Sequence, residues 1–334
     1  MIPLLAVGSA AVDIKARLAR AALHSTDVPG RVTLKAGGVA RNIAENLARL
    51  GVPVVFAGIM GDDPQARLLI ELSRAAGLDV RPLARSGPPP TDFDRSRLRA
   101  SLPTATLNVM LGPDGRQIAG VFSGDILEAL QPIDLEPLRA DIQSAPAIVC
   151  DGGLPADVLI ALRDLTPEET FVYCNPGSVA LAPRLEPILE RLDLLTCNQL
   201  EAAALTEVNI NGPAKLVSAA MILVKRGVKR AVVTFGARGL AYADNERSQF
   251  LPVRPVNLAD ATGAGDALAA ALIEALLHDQ PIDLCLKRGL AAAAITCESE
   301  DSVSAAMSME AIEERITSSA NERKYFDPNR EEPT

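Results

Sequence analysis

The stretch DATGAGDALAAAL, Asp260 to Leu272, sets two glycines in front of a helix-forming run, with a carboxylate, Asp266, on its first turn. Glycine frees the backbone so that several N–H groups can point into one cavity. A helix start adds unpaired donors and positive partial charge. Together, Gly263, Ala264 and Gly265 make a cradle for an anion. A carboxylate in such a cradle repels the anion, so Asp266 makes chemical sense facing a nucleophile. There it can orient an attacking hydroxyl and accept its proton as a phosphoryl group transfers. The plainer reading is an aspartate that caps the helix behind a glycine turn. The lysine of a GxxxxGKS/T loop is absent, so this is not a Walker loop.

A second glycine pair opens AGGVARNIAENLARLG, Ala36 to Gly51. Ile43, Leu47 and Leu50 fall on one helical face, and Gly51 ends the helix. Gly37 and Gly38 stand where the backbone must approach something closely, and Asn42 is an early helical residue whose amide can reach a ligand. Asp13 follows the first strand-like run, and is read as its end, where open parallel sheets bind ligands. An aspartate, two glycines and an asparagine suit a polyhydroxylated ligand. Further on, TFGARG supplies Thr234, Gly236 and Gly239, which fit either a nucleotide-binding loop or a plain hairpin turn. In NQLEA, Asn198 and Glu201 have the spacing of a capping box, or of a pair that organises hydrated magnesium and phosphates. GIMGDD, Gly58 to Asp63, reads as a strand end and a helix cap.

These residues need a frame. LLAVGSA, VVFAGIM, AIVCDG, TFVYCNP, DLLTCN and AVVTFG are short apolar runs that alternate with helical patterns such as Asn42 to Leu50, Pro64 to Ala76 and Pro155 to Leu162. That rhythm predicts an α/β fold, a doubly wound and mostly parallel sheet covered by helices on both faces. Residues 14–36 and 103–124 break the rhythm with looser alternation and a GPDG turn signal. They read as a small antiparallel β addition within a domain spanning 1–318. SGPPPTDFDRSRLRASLP reads as a loop, and 319–334 as a polar, frayed tail.

Of 334 residues, 48% are hydrophobic and 22% charged, which suits a globular core. A net charge of −9 argues against a nucleic-acid surface, so positive potential for an anion must come from backbone amides or a metal ion. Only two histidines are present, His24 and His278, which leaves carboxylates and amides to do any chemistry. The five cysteines lack CxxC spacing and read as buried thiols in a reducing, cytoplasmic setting. No apolar run is long enough for a membrane span.

In this order, the motifs resemble the ribokinase and phosphofructokinase-B family of sugar kinases, over about residues 4–315. AGGVARNIAENLARLG looks like the family's first signature and DATGAGDALAAAL like its second. The resemblance implies a ribokinase-like domain with a small β lid over the sugar, often shared in a homodimer. It implies ATP as co-substrate, with Mg2+ and a small-molecule acceptor. Asp266 matches the catalytic base, and Gly263, Ala264 and Gly265 the anion hole. Asp13, Gly37, Gly38 and Asn42 match the acceptor-binding positions, Asn198 and Glu201 the magnesium and phosphate motif, with Glu201 acting through water. Thr234, Gly236 and Gly239 match the nucleotide loop. A monovalent cation, K+, often sits near the second signature, and Asp260 is the residue here that would assist it.

Within the family the likeness is greatest to pseudouridine kinases, carried by the proline–glycine step in HSTDVPGRVTLKAGG, by CDGGLPADVL and by CESEDSVSAAMS. Such enzymes phosphorylate the 5′-hydroxyl of a C-nucleoside. GVFSGDI departs from the usual run that lines the nucleoside, CNPGS has Asn175 and Gly177 where an Asp-Pro-Val-Ser-like sequence is usual, and Ala66 replaces a customary glycine. Another sugar or nucleoside as acceptor, and a non-catalytic binder on the same scaffold, are the alternatives. A dinucleotide-dependent dehydrogenase is a weak third reading, because AVGSAAVD lacks the GxGxxG that should follow the first strand.

Overall fold

Leu4–Gly8, Val54–Ile59 and Ala147–Asp151 are buried along their whole length. Strands covered on both faces read as continuous apolar runs, and that is how these sequences are written. The computed structural model describes residues 2–21, 26–83, 102–114, 117–253 and 255–325. Its described strands form two sheets.

The larger sheet has nine strands: β1 (Leu4–Gly8), β4 (Val54–Ile59), β5 (Asp79–Leu83), β8 (Ala147–Asp151), β9 (Phe171–Asn175), β10 (Leu194–Asn198), β11 (Ala231–Thr234), β12 (Leu240–Ala243) and β13 (Ser248–Leu251). Their spatial order is β13-β12-β11-β10-β9-β8-β1-β4-β5. All pairs are parallel except β11–β12 and β12–β13. Helices α1 (Val39–Arg49), α6 (Ala264–Leu277) and α7 (Ile282–Cys297) pack on one face, where Leu4 and Ala6 of β1 point. Helices α3 (Ala156–Leu165) and α5 (Pro213–Lys225) pack on the other, where Leu5 and Val7 point. The remaining longer helices are α2 (Pro64–Ala75), α4 (Gln199–Thr206) and α8 (Met309–Tyr325). The expected doubly wound α/β arrangement is present. No described helix is long and apolar enough to cross a membrane.

The smaller sheet is β3 (Gly30–Gly37), β2 (Ala11–Leu18), β6 (Thr106–Leu111) and β7 (Gln117–Ser123), in the order β3-β2-β6-β7. It mixes antiparallel and parallel pairs, because β2 and β6 run parallel. Asp13 belongs to β2 of this sheet and does not end β1, as the sequence reading had it. The chain leaves the main sheet at Gly8–Ser9–Ala10, where Ser9 bonds to Asp151. The apolar AAV that follows disguises the break.

Alternation gives the small sheet two unlike faces. Asp13, Lys15 and Arg17 share one face with their partners Lys35, Thr33 and Arg31. Val32, Leu34, Met110 and Val121 occupy the other and are 60%, 49%, 42% and 65% exposed. Residues 319–325, expected to fray, continue α8 to Tyr325. Ala, Glu, Arg and Lys there favour helix. Most of the proline-rich loop, residues 84–101, lies outside the described residues, as does His24.

Candidate active site

Asp266 is the third residue of α6. Gly263 caps that helix at φ +82°, a left-handed conformation, and a Cβ there would lie 1.9 Å from the Ser302 carbonyl oxygen. Only glycine fits both demands. The amide of Ala264 turns back to the Ala261 carbonyl at 3.3 Å. Those of Gly265 and Asp266 have no partner among the described residues. The Asp266 carboxylate does not cap its own helix. Its hydrogen bond among the described residues comes from Nδ2 of Asn42, at 2.9 Å.

Asn42 is oriented by its neighbour. Arg41, buried in the first turn of α1, donates to the Asn42 Oδ1 at 2.9 Å, so the NH2 end faces Asp266. Arg41 also donates to Ser73, to the Ala36 carbonyl and to Glu45 one turn on. A cation at a helix N-terminus is unfavourable, and the buried Glu45 partner offsets it. Burial, the buried Asp151 and the acids Asp13 and Glu201 push the Asp266 carboxyl up to about 7, against the Asn42 hydrogen bond. A base poised there is matched to neutral pH.

Asp13 is 5% exposed. Burial raises its carboxyl, and Lys15 and Arg41 act against that. Gly37 makes room for it, since a Cβ on Gly37 would come within 2.4 Å of Asp13 Oδ1. Gly38, the next residue, caps α1 at φ +101°. The hydroxyl of Ser302 leans towards the Asp13 carboxylate without a hydrogen bond of good geometry.

The main sheet delivers the rest. Asp151, Asn175, Asn198 and Thr234 are the last residues of the adjacent parallel strands β8, β9, β10 and β11. Asn198 and Thr234 pair in register. Gly236 (φ +57°) and Gly239 (φ +133°) shape the hairpin between β11 and β12, so TFGARG is a hairpin turn at this edge. Asn175 spends its amide internally, accepting from Gly177 N and donating to Thr196. NQLEA forms a complete capping box: Asn198 Oδ1 accepts from Leu200 and Glu201, and Glu201 Oε2 accepts from Asn198 N. Asp63 caps α2 and holds Thr104, so GIMGDD is structural.

Two cations expected from the resemblance fare differently against the donors present. No group of three or more His, Cys, Asp or Glu among the described residues could hold a metal ion. Glu201 is buried and keeps Oε1 outside its capping bond, which suits a magnesium ion held through water and phosphates. Asp260 does not fit a free monovalent cation. Its Oδ2 takes Lys15 Nζ at 2.5 Å, and its Oδ1 accepts from the Thr262 amide and hydroxyl at 2.8 and 2.7 Å.

Asp151 and Arg41 are the residues sequence reasoning missed. Asp151, wholly buried, accepts from Ser9 N and Oγ, Ala40 N and Gly153 N, joining the ends of β1 and β8 to the start of α1. The DGG after an apolar run was its one local signal. For Arg41 it was the i,i+4 spacing to Glu45.

A carboxylate at a helix N-terminus with open amides, beside a buried carboxylate on a small separate sheet, is an arrangement that suits phosphoryl transfer to an alcohol group of a small molecule. A model of the pfkB family of carbohydrate kinases matches residues 1–308, and the chain belongs to that family. Pseudouridine kinase of Escherichia coli (strain K12) is 25% identical over 296 residues, which cover 87% of this chain and 90% of that protein. Ribokinase of Mus musculus is 28% identical over 268 residues, 78% of each chain. The structure of Arabidopsis thaliana ribokinase complexed with ribose and ATP has the same fold, with a TM-score of 0.76 at 23% identity over 94% of this chain and 98% of that one.

Proposed function

We propose that the protein transfers the γ-phosphate of ATP to the 5′-hydroxyl of a nucleoside, pseudouridine first among candidates. The observation that carries the reading is the Asn42–Asp266 hydrogen bond in front of the open amides of α6. It holds one carboxylate oxygen and leaves the other to take the proton of the acceptor hydroxyl. As the new O–P bond forms and the bond to the departing ADP breaks, charge on the transferring group faces the Gly263–Gly265 segment at the start of α6, where the open amides of Gly265 and Asp266 stabilise it. Asp13 accepts hydrogen bonds from vicinal hydroxyls, and Gly37 and Gly38 let the acceptor approach the backbone. The nucleotide lies along Asn198, Thr234, Gly236 and Gly239, at the ends of β10 and β11. Glu201 would hold Mg2+ through water, and the ion would offset phosphate charge.

Phe122 supports a nucleoside over a plain sugar. The registers Asp13↔Leu107 and Leu107↔Phe122 put it on the Asp13 face of the small sheet. Two strand spacings separate it from Asp13, roughly 10 Å. Its ring is 54% exposed and folds against Gly124. An open aromatic at that reach suits a planar base.

The small sheet acts as a lid over the acceptor. Its outer apolar face of Val32, Leu34, Met110 and Val121 supports a homodimer formed through that face. Free, mostly buried thiols support a reducing, cytoplasmic setting. The test of the function is incubation with ATP and pseudouridine, with the product identified by mass and by 31P NMR. A 5′-monophosphate supports the reading, and unchanged nucleoside contradicts it.

A further inference from the structure

Asp260 stands at the head of the loop that enters α6, and its carboxylate is fully engaged by Lys15 and Thr262. The backbone of this loop leans on the end of α7, with Ala259 N and Asp260 N both donating to the Cys297 carbonyl, at 2.8 and 3.3 Å. Three residues on, Gly263 packs against the Ser302 carbonyl. Lys15 reaches the same loop from β2 of the small sheet.

Lys15 lies two residues beyond Asp13 on the same face of β2. Lys35, directly opposite Asp13 on β3, pairs with Asp301, the neighbour of Ser302, at 2.5 Å. The two lysines therefore flank the acceptor carboxylate and reach both segments that form the wall behind Gly263. They are unequal. Lys35 and Asp301 are 40% and 39% exposed, so that pair contributes little. Lys15 and Asp260 are 11% and 25% exposed, where the attraction is less screened.

We infer that Lys15 supplies the positive charge at Asp260 in place of a free monovalent cation, and thereby positions the loop leading into α6 for phosphoryl transfer. A free ion would have to displace an ammonium tethered beside its site, which acts at high effective concentration. Arg17 and Arg31 line the same open cleft of about 90 Å3 as Lys15, Asp260 and Glu300, so the charge around the pair is rich in cations. Lys15 is thus a positioning residue, acting through Asp260, and it makes the phosphate cradle depend on the sheet that carries Asp13. The inference rests on the kinase reading above.

The test compares turnover in KCl, NaCl and tetramethylammonium chloride at equal ionic strength, for wild type, Lys15→Met and Lys15→Arg. Hydrogen exchange of the amides from Asp260 to Asp266 is followed in the same proteins without substrates. Wild type and Lys15→Arg are expected to be indifferent to the cation, within about two-fold. Lys15→Met is expected to slow on the order of ten-fold in tetramethylammonium, to recover in KCl, and to exchange faster. Stimulation of wild type by KCl of about five-fold or more overturns the inference, and so does full activity with unchanged exchange in Lys15→Met. If no acceptor is phosphorylated, the kinase reading falls, and exchange alone decides the ion pair: equal exchange in wild type and Lys15→Met overturns it.

Discussion

The side-chain amide of Asn42, on the first turn of α1, donates to the Asp266 carboxylate on the first turn of α6 at 2.9 Å, across 224 positions of sequence. Each glycine-led motif thus supplies one partner of a single contact. Arg41 holds the other end of the amide, so the donor cannot flip away without losing a charged hydrogen bond.

That contact sets a pH dependence. Burial pushes the Asp266 carboxyl up to about 7, with Asn42 pulling it down. A base must be ionised, so kcat/KM is expected to fall below about pH 7 along a single-proton limb. Asn42→Ala removes a bond that favours the charged form, and the limb moves to higher pH. A pH profile of both proteins checks this, and a limb that stays in place contradicts the assignment.

Asp266→Asn is expected to lower turnover by at least about a thousand-fold while nucleotide affinity changes little. It should also stabilise the protein. The folded pKa lies above the ordinary 3.8, so the native state binds the proton more tightly than the unfolded chain. The penalty is full above pH 7, shrinks as pH falls through 7, and is gone below the unfolded value. The shift corresponds to ~4 kcal/mol at most, and partial exposure of the side chain reduces it. A melting temperature higher by roughly 2–4 °C at pH 8, and by less at pH 5, is expected. Calorimetry at the two pH values checks the sign.

Gly37→Ala drives a methyl group into the Asp13 carboxylate. The KM for the acceptor is expected to rise about ten-fold or more, with the KM for ATP within about two-fold. Equal loss for both substrates would remove Asp13 and Gly37 from the acceptor site.

Much of this was legible in the sequence, for physical reasons that also mark where legibility ended. The parallel sheet shows as continuous apolar runs, and both signatures show as glycines ahead of helical patterns. Asp266 and Asn42 were visible because they sit at fixed offsets from those glycines. Asp13 was misplaced, since AAVD reads as a strand continuing through a turn made by Gly8–Ser9. Asp151 was invisible as a hub because Ser9 is 142 positions away. Lys15 carries no local signal, its partner Asp260 being 245 positions distant. Long-range polar pairing leaves no periodicity to read.

Asp151→Asn tests the hub. Its four donors all point at carboxylate oxygens, and an amide would set an NH2 against backbone N–H groups. A loss of about 2–4 kcal/mol is expected in urea unfolding. A loss below about 1 kcal/mol would make the network incidental.

We propose that the apolar outer face of the small sheet is where a homodimer forms. The wild type is expected to be dimeric in sedimentation velocity at micromolar concentration, and Leu34→Glu or Val121→Glu to give monomer. A wild-type monomer, or dimeric variants, would place the contact elsewhere or remove it.

Phosphoryl transfer to a nucleoside hydroxyl, with Asp266 as base, is the reaction we propose. ADP release with Mg2+ present, across pseudouridine, uridine, other nucleosides, ribose and fructose, tests it most directly. Turnover with pseudouridine above every other acceptor, lost in Asp266→Asn, is the expected result. Turnover with a plain sugar alone would discard the nucleoside and the role given to Phe122. Silence across the panel, or full activity in Asp266→Asn, would contradict the account.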